Sequence, residues 1–332
     1  MKLFLSYIRL VRPLNLLMIV FTLYMVRAVF LLPLYIFNDR YHDRNWDTGT
    51  FTFILFSLSY ILIAAAGYII NDYYDVRIDR INKPEKAIVG NTISKSSALT
   101  AYWILNICGL IIGFWSCHRA EFDLLGLLFV FYVVGLWFYS YKLKSTFLLG
   151  NSLIAIFLGL VPFAAASIEI EENFGLHVFF EYYQNTFSDW RTGAIFIAGF
   201  AFLSTFIREI IKDMEDMEGD RSAGCHTVSI VWGIKKTRIL VQFLILLMMG
   251  FLVRYQFWCY NKNMNLSVIY MAFFVQIPCF FAMWKLYKAS APKNFHNVST
   301  LLKNIMLTGI CYLFVFVYDA CSNYAHLRIH HL

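Results

Sequence analysis

The chain has 332 residues, of which 60% are hydrophobic and only 15% are charged, and its formal net charge is +7. A soluble domain of this composition would expose apolar patches far larger than soluble monomers carry, so the composition excludes a soluble globular protein. The seven cysteines form no Cys-x-x-Cys pair, and the basic residues form no long run with interleaved aromatics, which argues against a zinc site and against nucleic-acid binding.

Nine apolar segments have about the 20 residues that an α-helix needs to cross a bilayer. They do not alternate apolar and polar residues, as the strands of a membrane β-barrel do. In chain order the predicted spans are 13–37, 51–73, 96–117, 123–141, 146–168, 192–212, 236–257, 265–286 and 302–322. The sequence therefore predicts an all-α polytopic membrane protein with a single domain, residues 1–332, folded as a bundle of about nine transmembrane helices.

Basic residues predict the orientation of these spans, because Lys and Arg accumulate in cytoplasmic loops. With the N-terminus inside, 20 of the 28 Lys and Arg residues fall in cytoplasmic segments. Arg27 lies inside the first span, and we interpret it as a structural residue that reaches the interface or pairs with a buried acid. We expect a multi-pass protein of the bacterial inner membrane, in contact with membrane lipids, with its N-terminus in the cytoplasm and no cleaved signal peptide.

Carboxylates are scarce in this chain and are concentrated in two clusters. Nine of the 21 Asp and Glu residues fall within 71–79 or 209–220. Each cluster follows an apolar span at the predicted cytoplasmic face. Ionisable groups at a membrane boundary are costly to place and usually mark a functional site.

The spacing within each cluster places its carboxylates on one helical face. Asp72, Asp75 and Asp79 stand at positions i, i+3 and i+7, and Asn71 borders the same face. The second set stands at i, i+4, i+7 and i+11, and lines up in the same way provided that the helix runs past Gly219. Its members are Glu209, Asp213, Asp216 and Asp220.

Like charges stacked in this way repel one another unless a cation lies between them. Hard oxygen ligands at an exposed rim suit Mg²⁺, which prefers carboxylates together with phosphate oxygens and water. We therefore predict Mg²⁺ as the cofactor, with Asp75 and Asp213 as the central, catalytic carboxylates. The predicted metal ligands are Asn71, Asp72, Asp75, Asp79, Asp213, Asp216 and Asp220.

Basic residues surround the acidic clusters and also occupy a short loop between two spans. Carboxylates for a metal, cations for oxyanions and an apolar interior describe a diphosphate site with a pocket for a hydrophobic tail. We expect this pocket to be a central cavity open to the cytoplasmic side, where aromatic faces can stabilise a carbocation. The predicted diphosphate-binding residues are Arg80, Lys86, Lys142, Lys144, Lys212 and Arg221.

These motifs resemble those of the UbiA superfamily of intramembrane prenyltransferases. Residues 71–79 fit the family's N-D-x-x-D-x-x-x-D motif, and residues 82–94 resemble its next loop, with Lys86 and Ala87 where the family usually has Arg and Pro. The resemblance covers most of the chain. Further matching segments are Arg12-Pro13-x-Asn15, residues 139–151 and residues 208–227.

The resemblance implies a nine-helix bundle that transfers a polyprenyl group from its diphosphate with Mg²⁺ and releases pyrophosphate. The form of the second motif, residues 212–221, resembles the branch that acts on geranylgeranylglyceryl phosphate. It thereby implies a geranylgeranyl diphosphate donor and a lipid-precursor acceptor. By motif position, the residues expected to bind substrate are Arg12, Asn15, Tyr139 and Glu209.

Two alternative functions stay open. Prenylation of an aromatic acceptor, such as 4-hydroxybenzoate, homogentisate or a naphthoate, is one, because related forms of the second motif occur in that branch. A cation-coupled transporter that uses carboxylates as an ion site is the other. Transporters place such sites near the bilayer midplane on helices broken by Gly or Pro, whereas these clusters lie at one rim.

Overall fold

The computed structural model describes residues 2–37, 46–82, 87–174 and 188–329. The helices are α1 (Lys2–Leu10), α2 (Pro13–Phe37), α3 (Trp46–Asn82), α4 (Lys95–Arg119), α5 (Asp123–Tyr141), α6 (Leu149–Phe174), α7 (Ser188–Glu215), α8 (Met217–Ser222), α9 (Val228–Asn261), α10 (Asn265–Met271), α11 (Ile277–Lys288) and α12 (Pro292–Ile329). A 3₁₀ turn at Leu143–Ser145 lies between α5 and α6, and a π-helical turn at Ala272–Gln276 joins α10 to α11. Within these ranges the sole β-type pairing is an isolated bridge between Val89 and Ile93. The all-α prediction is confirmed.

Seven stretches of the described helices are long and apolar enough to cross a membrane. They are Gly49–Val76, Lys95–Arg119, Asp123–Tyr141, Leu149–Glu169, Val228–Asn261, Asn265–Lys288 and Pro292–Ser322. The bent pair formed by α1 and α2 makes eight if it counts as one span. The protein is therefore an integral, multi-pass membrane protein. The predicted span at 192–212 lies within α7, which is not among these stretches, so the total of nine stays a prediction.

The chain bends by 49° between α1 and α2. Pro13 begins α2, because its missing N–H and fixed φ suit the first position of a helix and cannot continue the one before. Arg12 occupies the break with a positive φ of 52°. The break puts the Arg12 side chain beside α3 rather than on the surface of a continuous helix.

Two apolar clusters hold the described bundle together. The larger cluster draws on α2, α3, α5, α6, α7, α9 and α12, together with α10 and α11. The smaller cluster packs Ile69, Ile70 and Val76 of α3 against Leu10 of α1 and Tyr102 of α4. The first acidic cluster lies at the edge of this apolar side of α3, since Asp72 and Asp79 stand about one turn before and after Val76.

The first acidic cluster lies on a helix, as its spacing predicts, because α3 continues to Asn82. The alignment of the second cluster was expected provided that one helix runs past Gly219, and this condition is not met. The backbone leaves the helical region at Asp216, where ψ is 7°, so α7 ends at Glu215 and α8 starts at Met217. Repulsion among closely spaced carboxylates and the poor helix propensity of Asp both oppose a continuous helix here.

Arg27 pairs with a buried acid, which confirms one of the two structural roles expected for it. Its Nε lies 3.1 Å from Glu169 of α6, and both side chains are largely buried. The guanidinium also donates to Thr50 at 3.2 Å and lies over the ring of Phe53. The ion pair therefore ties α2 to α6 and α3.

Candidate active site

A cavity of about 320 Å³ lies at the centre of the described bundle. Most of its lining is apolar and aromatic, including Tyr60, Phe129, Tyr132, Phe157, Phe196, Phe200, Tyr255 and Tyr312. The charged and amide side chains gather at the ends of α2, α3, α5 and α7 that carry the sequence motifs. We call this region the polar end of the cavity, and its residues are Arg12, Asn15, Tyr68, Asn71, Tyr139, Arg208, Glu209, Lys212 and Lys303.

The first acidic cluster presents two mostly buried carboxylates that are held by cations. Asp72 accepts a hydrogen bond from Nη2 of Arg12 at 2.6 Å, and its side chain is 13% exposed. Asp75 is 14% exposed and accepts from Lys144, as well as from Nδ2 of Asn71 at 2.8 Å. Each carboxylate thus lies in a partly dehydrated place with a positive group against it, which offsets part of the cost of burying a charge.

Lys144 lies on the 3₁₀ turn, which is fixed from two sides. A Cβ added at Gly150 would lie 2.8 Å from the carbonyl oxygen of Leu143, so only glycine lets α6 approach this closely. The backbone N–H of His226, beyond the second cluster, donates to the carbonyl oxygen of Ser145 at 2.7 Å. The turn therefore contacts the first acidic cluster through Lys144 and the segment after the second cluster through Ser145.

The second acidic cluster supplies Asp213 at the end of α7. Its carboxylate accepts from Nδ2 of Asn151 at 2.8 Å, and its carbonyl oxygen accepts from the hydroxyl of Ser229 at 2.8 Å. Burial raises the pKa of Asp213 well above its ordinary value; the hydrogen bond from Asn151 opposes this effect, and the charge of Asp220 adds to it. A cation placed beside Asp213 would favour its ionised form.

Glu209, one turn before Asp213, is buried between two cations. It accepts from Nη1 of Arg208 and from Nζ of Lys212, both at 2.9 Å. Glu209 and Lys212 both line the cavity, as does Tyr139 of α5. Glu209 therefore orders the cations on the α7 side of the polar end.

The two acidic clusters meet on one side of the bundle. The short helix α8 packs against α3. Cys225, just beyond α8, is buried, and burial raises the pKa of its thiol to about 11, an effect to which the negative charges of Asp220, Asp75 and Asp213 add. Because one side chain experiences all three charges, the carboxylates of both clusters surround a common region.

The other predicted metal ligands border this region. Asp79 lies one turn beyond Asp75 on α3, and its charge acts on Arg12. Asp216 lies at the break between α7 and α8, where its carbonyl oxygen accepts from the backbone N–H of Asp220 at 3.1 Å.

The oxygen donors fit Mg²⁺ by their chemistry, although they form no ready-made cage. Within the described ranges, no three His, Cys, Asp or Glu side chains are close enough together to hold a metal ion by themselves. Mg²⁺ commonly binds one or two carboxylates and takes its other ligands from water and substrate phosphate. The arrangement therefore suits an ion that binds together with a diphosphate.

The predicted diphosphate-binding cations fall into different places. Lys212 lines the cavity, and Lys144 lies beside the first acidic cluster. Lys142 and Arg221 are exposed and do not contribute to the cavity lining. Two others lie outside the described residues: the side chain of Arg80 and the whole of Lys86.

Three residues that contact predicted site residues were themselves absent from the predicted site. Asn151 binds Asp213, and Arg208 binds Glu209. Lys303 of α12 donates to Oδ1 of Asn15 at 2.7 Å, across 288 positions of sequence. The signal that could have identified Lys303 is a lone basic residue near the start of the predicted span at 302–322, since such residues usually face a functional interior.

Comparison with known proteins identifies several relatives. A digeranylgeranylglyceryl phosphate synthase of Methanosphaera stadtmanae is 32% identical over 239 residues, which cover 72% of this chain and 73% of that protein. The synthase of the same name from Methanobrevibacter smithii is 35% identical over 194 residues, which cover 58% of this chain and 63% of that protein, or less than two thirds of its length. Both relatives are archaeal, so a bacterial membrane stays a prediction. The relatives' names carry no information on orientation, so the cytoplasmic N-terminus also stays a prediction.

Solved structures share the fold. One, described as digeranylgeranylglyceryl phosphate synthase in membranes, has a TM-score of 0.63 at 24% identity and covers 97% of this chain and 100% of its own. A UbiA homologue from Aeropyrum pernix K1 has a TM-score of 0.59 at 16% identity, and the match covers 87% of this chain and 96% of that homologue. Residues 41–305, well over half of the chain, match the model of the UbiA prenyltransferase family. The chain therefore belongs to the UbiA prenyltransferase family.

Proposed function

We propose that the protein transfers a geranylgeranyl group from geranylgeranyl diphosphate to geranylgeranylglyceryl phosphate and releases pyrophosphate, with Mg²⁺ as its cofactor. The observation that carries this proposal is the position of the two acidic clusters beside the polar end of an apolar cavity, which Arg12, the partner of Asp72, and Glu209 line. The names of the relatives, digeranylgeranylglyceryl phosphate synthases, support the choice of acceptor.

The donor has a charged head and a long apolar tail, and the cavity has matching parts. The tail occupies the aromatic-lined interior, where burial of apolar surface contributes roughly 25 cal/mol per Å². The diphosphate stays at the polar end, near Arg12. This orientation places the first carbon of the tail at the boundary between the two parts, near Tyr68 and Tyr139.

Asp72 and Asp75 on α3 and Asp213 on α7 are the residues that would hold Mg²⁺. The ion, when bound, supplies positive charge against the pyrophosphate that departs. Arg12 and Lys144 already lie against these carboxylates, so they are placed to donate hydrogen bonds to phosphate oxygens as well. Charge on the leaving group is thus balanced by both cations of the chain and the metal.

The reaction breaks the bond between the allylic carbon and the diphosphate oxygen, and the electron pair leaves with pyrophosphate. The positive charge that develops on the allylic carbon is stabilised by the faces of nearby aromatic rings, of which Tyr68 and Tyr139 line the polar end. The oxygen of the acceptor hydroxyl then forms an ether bond with that carbon, and its proton passes to the departing pyrophosphate. The apolar lining keeps water away from the cation, which would otherwise be hydrolysed.

An aromatic acceptor is the second candidate, because its hydroxyl or ring carbon would attack the same cation. Cation-coupled transport receives less support. The described carboxylates lie at one end of the cavity, where cations and amides of the chain already contact them, rather than at its middle.

The experiment uses the purified full-length chain in lipid nanodiscs with labelled geranylgeranyl diphosphate and Mg²⁺. Geranylgeranylglyceryl phosphate is compared with 4-hydroxybenzoate, homogentisate and a naphthoate as acceptor. We expect a doubly prenylated glyceryl phosphate and one pyrophosphate for each transfer. Efficient prenylation of an aromatic acceptor, with no lipid product, would overturn the choice of acceptor and leave the reaction class intact.

A further inference from the structure

The polar end of the cavity has a cationic side that is separate from the carboxylates of Asp72 and Asp75. It is formed by Lys303 of α12 and by Arg208 and Lys212 of α7. Helix α12 packs against both α2 and α7, so these side chains approach from neighbouring walls of the same cavity. We call this group, together with Asn15 of α2, the cationic side.

The charges on the cationic side do not balance among themselves. Arg208 and Lys212 share a single carboxylate, that of Glu209. Lys303 donates to the neutral amide oxygen of Asn15 and forms no ion pair with any described carboxylate. Three cations therefore face one anion, while Asp72 and Asp75 each have a cation of their own.

Two further details show that the excess of positive charge on the cationic side is energetically unfavourable. The charges of Arg208 and Lys303 are close enough to repel each other. The Nε of Arg208 is buried and has no hydrogen-bond partner among the described residues. A buried donor without a partner and two neighbouring cations both favour the binding of an anion between them.

Resting on the proposed function, we propose that Arg208 and Lys303 bind the phosphate of the acceptor directly, without a metal ion. The acceptor class is a phosphate monoester of a lipid alcohol with a free hydroxyl. Guanidinium and ammonium groups are suited to such a phosphate, because they make charge-assisted hydrogen bonds. The carboxylate-rich side takes the diphosphate and the cationic side takes the monophosphate, so the two negative substrates occupy different parts of the polar end.

Substrate-specific kinetics test this assignment. Each KM is measured with the other substrate saturating, for the wild type and for Lys303→Gln, Lys303→Arg and Arg208→Gln. Loss of a hydrogen bond between charged groups predicts that Lys303→Gln and Arg208→Gln raise the KM of geranylgeranylglyceryl phosphate by about 10- to 100-fold. We expect the KM of geranylgeranyl diphosphate to change less than about twofold, and Lys303→Arg to restore most of the affinity.

The matched control is Lys293→Gln, which removes an exposed lysine from the same helix. It is expected to leave both KM values unchanged. An equal or larger rise in the KM of the diphosphate would assign the cationic side to the donor and overturn the proposal. So would the absence of any change in KM in a folded Lys303→Gln protein.

A binding experiment separates this proposal from the proposed function. In EDTA, wild-type protein is titrated with geranylgeranylglyceryl phosphate and with geranylgeranylglycerol, which lacks the phosphate. Preferential binding of the phosphate that Lys303→Gln abolishes supports the cationic side even if the wild type shows no turnover. Equal preference in the wild type and in Lys303→Gln would refute the subsite, whatever the turnover.

Discussion

Lys144, on the turn between α5 and α6, donates a hydrogen bond to the carboxylate of Asp75 on α3, 69 positions earlier in the chain. Both side chains are mostly buried, so each charge is compensated by the other rather than by water. The position of Asp75's partner therefore depends on this turn, and His226, which follows the second cluster in the chain, is hydrogen-bonded to the same turn. A displacement of the turn would therefore alter the geometry around both clusters.

The first prediction concerns Lys144. We expect Lys144→Met to lower kcat/KM by at least about 100-fold, because it leaves Asp75 without its cation and removes a donor to the diphosphate. Lys144→Arg keeps the charge and should retain more activity. Exposed Lys142, two positions away, is the matched control, and Lys142→Met should have little effect. Equal losses in both methionine variants would contradict the assignment.

Gly150 gives a prediction that tests how the turn is positioned. Gly150→Ala places a Cβ 2.8 Å from the carbonyl oxygen of Leu143 and 2.9 Å from the Cα of Lys144, so the turn has to move. We expect a lower Tm and about a tenfold loss of activity, measured by thermal unfolding in detergent and by the transfer assay.

Gly250 on α9 is the matched control for this variant. A Cβ there meets no other atom within 4 Å. Since alanine favours a helix over glycine by about 1 kcal/mol, Gly250→Ala should leave stability unchanged or slightly increased. A Gly150→Ala protein as stable and as active as Gly250→Ala would refute the close approach of α6 to the turn.

The buried pair of Arg27 and Glu169 predicts a stability effect that is separate from catalysis. Arg27→Met removes the guanidinium from buried Glu169, and breaking such a pair costs about 3–5 kcal/mol. Adding Glu169→Gln should recover much of that loss, because the charge that Arg27 balanced is then gone. The free energy of unfolding of the two single variants and the double variant checks this, and additive losses would contradict it.

Carboxylate replacement tests the metal site itself. Asp75→Asn and Asp213→Asn keep the size of the side chain but remove its charge, and we expect each to lower turnover by about 10³-fold or more in a protein that still folds. EDTA should have the same effect on the wild type, and added Mg²⁺ should reverse it. Asp123→Asn changes an exposed carboxylate at the start of α5 and serves as the control.

Local rules were sufficient for some of these features. The spacing of Asp72 and Asp75 placed them on one face of a helix, and the structure agrees because α3 runs on to Asn82. The same rule failed for Asp216, where the helix breaks, because periodicity does not register the repulsion and backbone preference that end α7.

The features that local rules did not predict depend on contacts between residues far apart in the sequence. Lys142 and Lys144 have the same charge and lie in one short loop, yet only the second reaches an acidic cluster, because the 3₁₀ turn directs it there. Lys303 meets Asn15 only because α12 packs on α2, which no local pattern encodes. The spacing of the motifs thus predicted which carboxylates share a helical face in the first cluster, while the choice among basic residues required the packed bundle.

The central claim is that both acidic clusters hold one divalent cation together with the diphosphate. Electron paramagnetic resonance of Mn²⁺, which replaces Mg²⁺ at oxygen-rich sites, tests it directly with a non-hydrolysable analogue of geranylgeranyl diphosphate. We predict tight Mn²⁺ binding by the wild type only in the presence of the analogue, and its loss in both Asp75→Asn and Asp213→Asn. Undiminished binding of Mn²⁺ and analogue by either variant would contradict the shared site.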